Sequence, residues 1–384
     1  MLDELRDRFL REWGQMPVVF RAPGRVNLIG EHTDYNDGFI MPAAIEYATF
    51  AAVAPRADRF LRVRTSLTGE TATLDLDAPP AAPRRDWTDY VFGVAHVLTA
   101  SGHRLAGADL MIASTVPIGA GLSSSAALEV AVASALLHVA DLAIGGVDLA
   151  LLCQKAENEF VGMRCGIMDQ FIACRGRAGH ALMIDCRSLE ETAVPIPAHA
   201  RIVVANSMVH HQLAGGGEYN ARRRSCETGV AALQAALGPI RALRDVGPTE
   251  LADHARLLDE VTFRRCRHIV AENERVVAAA EALVVGDLAL TGTLMDASHV
   301  SMRDDFEISC PEIDVLVDLA QRLPGVFGSR MTGGGFGGCT VSLVEAEAVE
   351  TVIAELGRGY EAATGIRPTI FACAPSAGAG RADL

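Results

Sequence analysis

The stretch Pro117-Ile118-Gly119-Ala120-Gly121-Leu122-Ser123-Ser124-Ser125-Ala126-Ala127 governs how the rest of the chain is read. It follows an apolar strand, Ala108–Ser114, and opens a helix over 126–139 that is rich in small residues. The first N–H groups of a helix lack internal partners and carry partial positive charge, so small residues there let a phosphate approach the backbone closely. The serines can cap the helix, and one can also ligate Mg²⁺. On these residues alone, a plain serine-capped helix after a tight turn stays open. A dinucleotide-binding reading fails on context. That fold wants a second strand ending in an acidic residue about twenty positions on, and the stretch leading to Asp141 is helical in pattern. The glycine cluster at 333–338 formally matches G-x-G-x-x-G, but a strand follows it, so it reads as a flexible loop for close backbone approach.

Composition narrows the chemistry. The chain has 384 residues, 34 basic and 48 acidic, for a net charge of −14, and half of its residues are hydrophobic. Such a balance describes a folded protein and argues against a general nucleic-acid or anionic-membrane surface. Of the basic residues only Lys155 is lysine, between Gln154 and Ala156, so neither a Walker A loop nor a protein-kinase Val-Ala-Ile-Lys strand is available. The nine cysteines are scattered without a Cys-x-x-Cys pair, which removes zinc-ribbon and thioredoxin readings. The opening MLDELRDRFLREWG has no apolar core, so no signal peptide is expected. The most apolar long stretch, 128–152, carries Glu129, His138, Asp141 and Asp148 and is a poor membrane span. A soluble cytoplasmic protein is the expectation.

A chain of this length predicts two domains. The proline-rich 195–199 segment is the best boundary, giving domains of 1–195 and 196–384. Apolar spacing predicts helices over 2–13, 90–100, 126–139, 149–160, 218–236, 265–284, 311–322 and 346–361, and strands over 18–20, 26–29, 49–53, 61–65, 108–114, 181–185, 201–205, 340–344 and 368–373. The elements do not alternate regularly as strand and helix, so the class is α+β. The Ala/Gly-rich tail after Pro375 is expected to fray.

A polar cluster follows the first strands: Pro23-Gly24-Arg25-Val26-Asn27-Leu28-Ile29-Gly30-Glu31-His32-Thr33-Asp34-Tyr35-Asn36-Asp37-Gly38. Three readings are open for Glu31, His32 and Asp34: a metal site, a plain Asx-type turn, or a loop whose carboxylates and imidazole accept hydrogen bonds from a polyol.

The run APGRVNLIGEHTDYNDG (22–38) resembles the signature of galactokinases, within the GHMP small-molecule kinases. PIGAGLSSSAA resembles the second, phosphate-binding motif of that superfamily, and SRMTGGGFGGCTVSL (329–343) its third. CGIMDQF (165–171), GEYNARRRSCE (217–227) and SHVSMRDDFEISCPEID (298–314) are similar to further galactokinase segments, in order along most of the chain. The resemblance implies a two-domain α+β fold, with a ribosomal-protein-S5-like N-terminal domain and a ferredoxin-like C-terminal domain. It also implies phosphorylation of the anomeric hydroxyl of D-galactose by Mg-ATP.

Carried over residue by residue, Asp169 aligns with the proposed general base, and Arg25 with the arginine that stabilises charge on it and on the phosphoryl group. Ser125 and Glu157 align with Mg²⁺ ligands, a hydroxyl and a carboxylate suited to a hard cation. Glu31, His32, Asp34, Gly166 and Tyr219, with Asp169, align with sugar-binding positions. Pro117, Gly119, Gly121, Leu122, Ser123, Ser124, Ser125 and Ala126 form the nucleotide-phosphate motif, and Trp87 resembles a tryptophan near the adenine pocket. Arg222–Arg224 are expected either to supply positive potential near the nucleotide or to form a solvated helix face, and His210-His211 have no motif role. The resemblance implies small-molecule partners and no nucleic acid or membrane, with a monomer favoured. Three rivals stand beside it. One is a kinase for another sugar, such as N-acetylgalactosamine or arabinose. The second is a non-catalytic galactose/ATP sensor, although such sensors lack part of the serine–alanine motif that is intact here at 123–127. The third is a homoserine- or mevalonate-type kinase, which would need a pocket for an anion.

Overall fold

The computed structural model describes residues 1–79, 82–117, 119–210 and 217–382. Ile118, part of the proline-rich loop 77–84 and His211 lie outside the described residues. A six-stranded sheet organises the first half, in the order Gly380–Arg381, Val18–Asn27, Pro42–Pro55, Ala108–Ser114, Phe60–Thr65, Thr71–Asp75. All neighbours are antiparallel except Phe60–Thr65 with Ala108–Ser114. Both faces are covered, and the strand alternation sorts the side chains between them. Phe20, Ala22, Ala51 and Val53 face the helices Thr88–Ala100 and Ser124–Val139. Val19, Phe50, Ala52 and Ala54 face the amphipathic helix Leu2–Trp13 through its Leu5 and Phe9. Each fully buried Val, Leu, Ile or Phe in such a core contributes about 1.5–3 kcal/mol.

A second sheet, in the order Val326–Thr332, Gly337–Glu345, Ala200–His210, Thr369–Cys373, is wholly antiparallel. Helices Pro311–Gln321 and Val349–Thr364 pack on it through Leu316, Ala320, Leu356 and Tyr360. Ile202, Val204, Val341 and Leu343 join Val276 and Leu283 of helix Glu260–Val284 and Met295 of helix Leu288–Asp304. The same cluster takes in Val26, Leu28, Ile29 and Met41, so one apolar core runs between the two sheets beneath the polar loop at 30–38. A small third sheet, Phe39–Ile40, His180–Asp185 and Glu191–Pro195, continues from the end of that loop.

Several expectations are corrected. Over its described residues, 376–382, the tail does not fray, and 383–384 lie outside the described residues. Ser376 N donates to Ala44 O and Ser376 Oγ to Ile45 O, while Gly378 and Ala379 bond Gly176 and Ala173 and Arg381 pairs with Phe20. An Ala/Gly-rich sequence fits there because the backbone, not side chains, makes the contacts; a Cβ on Gly378 would lie 2.5 Å from Cys174 O. The helix expected over 149–160 is α-helical only over Gly146–Lys155 and continues as a π-turn over Ala156–Val161, which sets Glu157 at the junction. Helix Leu288–Asp304 and strand Val326–Thr332 were not expected from spacing. Arg222 is not on a solvated face. It is buried, with Nε donating to Phe306 O at 3.2 Å and Nη2 to Glu307 O at 2.6 Å.

Candidate active site

The bulge between Pro23 and Arg25 interrupts the first strand pair and turns Arg25 toward the glycine-rich turn. Gly24 makes this possible: a Cβ there would lie 2.7 Å from Leu122 O, and Leu122 O instead accepts the Arg25 N–H at 3.1 Å. The Arg25 guanidinium then bonds in two directions. Nη1 donates to Gly121 O at 2.5 Å, while Nε and Nη2 donate to Asp169 Oδ1 and Oδ2 at 2.8 and 2.9 Å. Asp169 lies in the first turn of helix Met168–Arg175, with about a fifth of its side chain open to the cavity. Ser123 completes the arrangement. It precedes helix Ser124–Val139 in the left-handed region, φ 58°, and its hydroxyl does not cap the helix but donates to Asp169 Oδ2. The capping role open to the serines is corrected here for Ser123: a left-handed residue at this point sends Oγ across to the neighbouring helix.

One cavity of about 420 Å³ brings together Arg25, Glu31, His32, Asp34, Ser125, Glu157, Gly166, Asp169 and Tyr219, with Gly333 and Gly334 closing one side. Glu31 Oε2 accepts from Asn27 Nδ2 at 3.0 Å, and Oε1 accepts the Gly333 N–H at 2.8 Å. Burial pushes its carboxyl above the usual carboxylate range, opposed by the nearby charge of Arg330. His32 Nδ1 shares a hydrogen bond with the Tyr35 hydroxyl at 2.7 Å, and burial, aided by His268, pushes the imidazole down to about 3, so it is neutral. Asp34 stands against the backbone of Gly166, where a Cβ would lie 1.7 Å from Oδ2. Burial first, and then the charge of Asp169, push Asp34 up to about 7. Tyr219 packs on His32 at 5.0 Å and on Tyr35 at 5.6 Å between ring centroids.

Ser125 also lines a second, larger cavity of about 920 Å³ with Gly119, Ser124, Tyr90 and Trp87. Trp87 Nε1 donates to Glu70 Oε2 at 2.9 Å, which sets the indole at the cavity wall. Leu122 and Ala126 are buried in the apolar core, and Pro117, Gly121, Leu122, Ser123 and Ala126 line neither cavity. The two cavities meet at the start of helix Ser124–Val139, whose alanines let it sit close on the strands Val18–Asn27 and Pro42–Pro55.

Some residues of this neighbourhood carry no role in the motif reading. Gln170 Nε2 bridges two buried carboxylates, Glu129 Oε2 at 3.0 Å and Glu157 Oε2 at 2.5 Å. Burial pushes both carboxyls up, and the charge of Asp169 adds to the shift of Glu157. Behind Glu31, Arg330 is fully buried between Glu31 and Glu272, whose Oε1 also accepts the Gly30 N–H at 2.9 Å. The signal for Glu129 was its position four residues after Ser125, on the same helix face. Arg330 was visible only as part of the third motif, and Glu272 had no signal.

The chain matches the galactokinase galactose-binding signature over residues 7–55, the GHMP kinases N-terminal domain over 89–177 and the GHMP kinases C-terminal model over 279–362. It is 52% identical to a galactokinase of Roseiflexus sp. (strain RS-1) over 99% of this chain and 98% of that one. It is also 52% identical to a galactokinase of Chloroflexus aurantiacus, over 98% and 97% of the two chains. The crystal structure of Lactococcus lactis galactokinase complexed with galactose superposes with a TM-score of 0.94 at 32% identity, covering 99% of both chains. A mevalonate kinase structure, at 18% identity over 93% of this chain and 98% of that one, shares the fold with a TM-score of 0.65. With its two-domain GHMP kinase architecture, the chain belongs to the galactokinase family.

Proposed function

We propose that the chain transfers the γ-phosphoryl group of ATP to the anomeric hydroxyl of D-galactose, giving α-D-galactose 1-phosphate, the first committed step of galactose metabolism. The observation that carries this reading is the shared Ser125. It joins a polar cavity holding Asp169 and Arg25 to a larger cavity that starts at a helix N-terminus. The polar cavity takes the sugar, with Glu31, Asp34 and the neutral His32 recognising hydroxyls and Tyr219 closing the far wall. The larger cavity takes ATP, with Trp87 beside the base and Gly119, Ser124 and Ser125 at the helix N-terminus beside the phosphates.

Asp169 accepts the proton of the attacking hydroxyl, or orients that hydroxyl, as its oxygen forms the new bond to phosphorus and ADP leaves. The Arg25 guanidinium fixes both Asp169 oxygens, and its charge would stabilise the transferring phosphoryl group. A lysine is not required, because backbone N–H groups and Arg25 supply the positive potential locally.

Ser125 and Glu157 would hold Mg²⁺, with phosphate oxygens completing the shell. A hydroxyl and a carboxylate suit a hard cation that takes its remaining ligands from phosphate and water. The buried, mutually repelling Glu129 and Glu157, bridged by an amide, fit a nearby cation. When bound, Mg²⁺ supplies neutralisation of charge on the phosphates.

We also divide the chain at 195/196 into two domains, with Gly380–Arg381 returning to the first sheet. A cytoplasmic site of action belongs to the same proposal; no helix of the described residues is long and apolar enough to cross a membrane. The test is a panel of free sugars with Mg-ATP. Galactose is expected to be turned over fastest, and faster turnover of another sugar overturns the substrate. Asp169→Ala is expected to bind ATP and galactose but to lose most turnover.

A further inference from the structure

The sugar-recognition loop ends in one turn of 3-10 helix, Asp34–Asn36, closed by Asp37 in the left-handed region at φ 56°. Bonds within the loop shape this turn: Thr33 O accepts the N–H of both Asn36 and Gly38. They do not fix where the turn sits against the wall at Gly166, which Asp34 meets. Helices Gly217–Leu237 and Glu260–Val284 touch the loop through the Tyr35–Tyr219 ring contact and through Asn273 Oδ1, which accepts the Phe39 N–H at 2.8 Å. The charged contacts to the turn come from two further segments, one at 185–187 after the strand His180–Asp185, and one at 241–245.

Six charged side chains join the three segments. Asp37 Oδ2 accepts from Arg187 Nε at 3.2 Å and pairs with Arg241 Nε at 3.0 Å. Arg187 Nη1 donates to Asp245 Oδ1 at 2.7 Å. Arg244 is the centre. Its Nη1 and Nη2 donate to Asp185 Oδ1 and Oδ2 at 2.5 and 2.6 Å, and Nη1 also donates to Asp37 O at 3.0 Å. Its guanidinium lies 4.2 Å from the ring centroid of Phe39. The ladder continues beside it: Phe39 pairs with Asp185, and Cys186 N donates to Gly38 O at 2.9 Å. Three carboxylates and three guanidinium groups balance in charge, and none of the six lines the sugar cavity.

We infer that Arg244, with Arg187 and Asp37, is an electrostatic clamp that positions the turn bearing Asp34 for sugar recognition. The inference rests on the reading of 31–34 as sugar ligands. These are positioning residues, because they reach the sugar only through the turn. The bidentate Arg244–Asp185 pair gives direction as well as attraction. The paired groups other than Arg241 keep about a fifth to a third of their side chains exposed, so salt reaches the network and weakens it. The substrate at this site is an uncharged sugar, whose own encounter with the protein is not steered by charge. A salt-dependent KM for galactose therefore reports on the protein and not on the ligand.

The experiment is steady-state kinetics of the full chain at saturating Mg-ATP, from about 0.05 M to about 1 M sodium chloride, over which the screening length falls to about 3 Å. In the wild type KM for galactose is expected to rise about fivefold while kcat stays within about twofold. Arg244→Met is expected to start with KM raised about tenfold and to show no further rise with salt. Asp37→Asn, whose carboxylate is near the surface, keeps the test usable if Arg244→Met does not fold, and is expected to show the same loss of salt response. Low KM with the wild-type salt slope in Asp37→Asn, or a wild-type KM that does not change with salt, overturns the clamp. Turnover of galactose by the wild type stands apart from these outcomes: its absence at every salt concentration refutes the substrate reading, whereas its presence without a salt slope refutes only the clamp.

Discussion

Arg25 and Asp169 are joined by two parallel hydrogen bonds across 144 positions of sequence, Nε to Oδ1 at 2.8 Å and Nη2 to Oδ2 at 2.9 Å. The pair closes the floor of the sugar cavity, and the same guanidinium holds Gly121 O of the glycine-rich turn. A change in the arginine therefore disturbs Asp169, the proposed proton acceptor, and the glycine-rich turn together.

Arg25→Lys keeps the charge and removes the fork. It is expected to lower kcat by about a hundredfold or more with a smaller change in KM for galactose, because orientation of a catalytic carboxylate acts mainly in the transition state. Single-turnover kinetics with saturating ATP check this. A kcat within about threefold of wild type refutes a role for the bidentate geometry.

Asp34 gives a pH signature. Burial and the charge of Asp169 push it up to about 7. Donation from sugar hydroxyls favours the carboxylate, so binding lowers its proton affinity and releases part of a proton at pH 7. Calorimetry in buffers of different ionisation enthalpy is expected to show release in the wild type and none in Asp34→Asn. The sign for stability is opposite to that of a paired aspartate. The folded protein holds the proton more tightly than the unfolded chain, so the group costs nothing below about 4, costs progressively more as pH rises through 4 to 7, and costs most above 7. Asp34→Asn is expected to melt above the wild type at pH 8 and by a smaller margin at pH 5. Equal margins at both values refute the assignment.

The contrast between these residues shows what sequence could and could not disclose. The turn at 117–127 was readable as a helix N-terminus because that property is local, and strands such as Ala108–Ser114 were readable from apolar content. For Glu31, His32 and Asp34 the residues themselves left a metal site, a plain turn and a polyol-binding loop open, and the family resemblance is what assigns them to a sugar. Helix Leu288–Asp304 was invisible to spacing because its buried face contains Thr291, Gly292, Ser298 and Ser301, which blur the apolar stripe. Gly292 is there because the backbone of Phe327 and Gly328 passes too close for a Cβ. Strand Val326–Thr332 was hidden by Ser329 and Arg330, polar residues that are fully buried against partners from other segments, Ser342 and Glu272. No periodicity announces a partner hundreds of positions away.

Arg330 is the extreme case. It has no exposed surface, lies 3.9 Å from Glu31 and 3.5 Å from Glu272, and carries no other role in the site. Burial alone would raise Glu272, but Arg275 and Arg330 pull it down to about 2, so it is a buried anion. Arg330→Met leaves two buried carboxylates short of a cation and is expected to cost about 3–5 kcal/mol of stability. Adding Glu272→Gln should recover part of this loss, since the uncompensated charge is then removed. Urea denaturation of the wild type, both single variants and the double variant gives the coupling. Additive losses refute the charge-pair account and leave only packing.

Gly166 tests the sugar wall by shape. A Cβ at this position would lie 1.7 Å from Asp34 Oδ2 and 2.2 Å from its Cγ, far inside contact distance. The backbone of Gly166 does not require a left-handed conformation, since it is not among the residues with positive φ, so alanine is excluded by the neighbour and not by the chain. Gly166→Ala must push Asp34 out of the cavity or move the segment 163–167. KM for galactose is expected to rise by about a hundredfold or more, while KM for ATP, whose proposed cavity does not include Gly166, stays within about threefold. The paired substitution Gly166→Ala/Asp34→Gly removes the clash along with the carboxylate. It is expected to bind galactose no better than Asp34→Gly alone, because the lost ligand and not the wall is then limiting. Near-wild-type affinity in Gly166→Ala refutes a fixed contact between Asp34 and this wall.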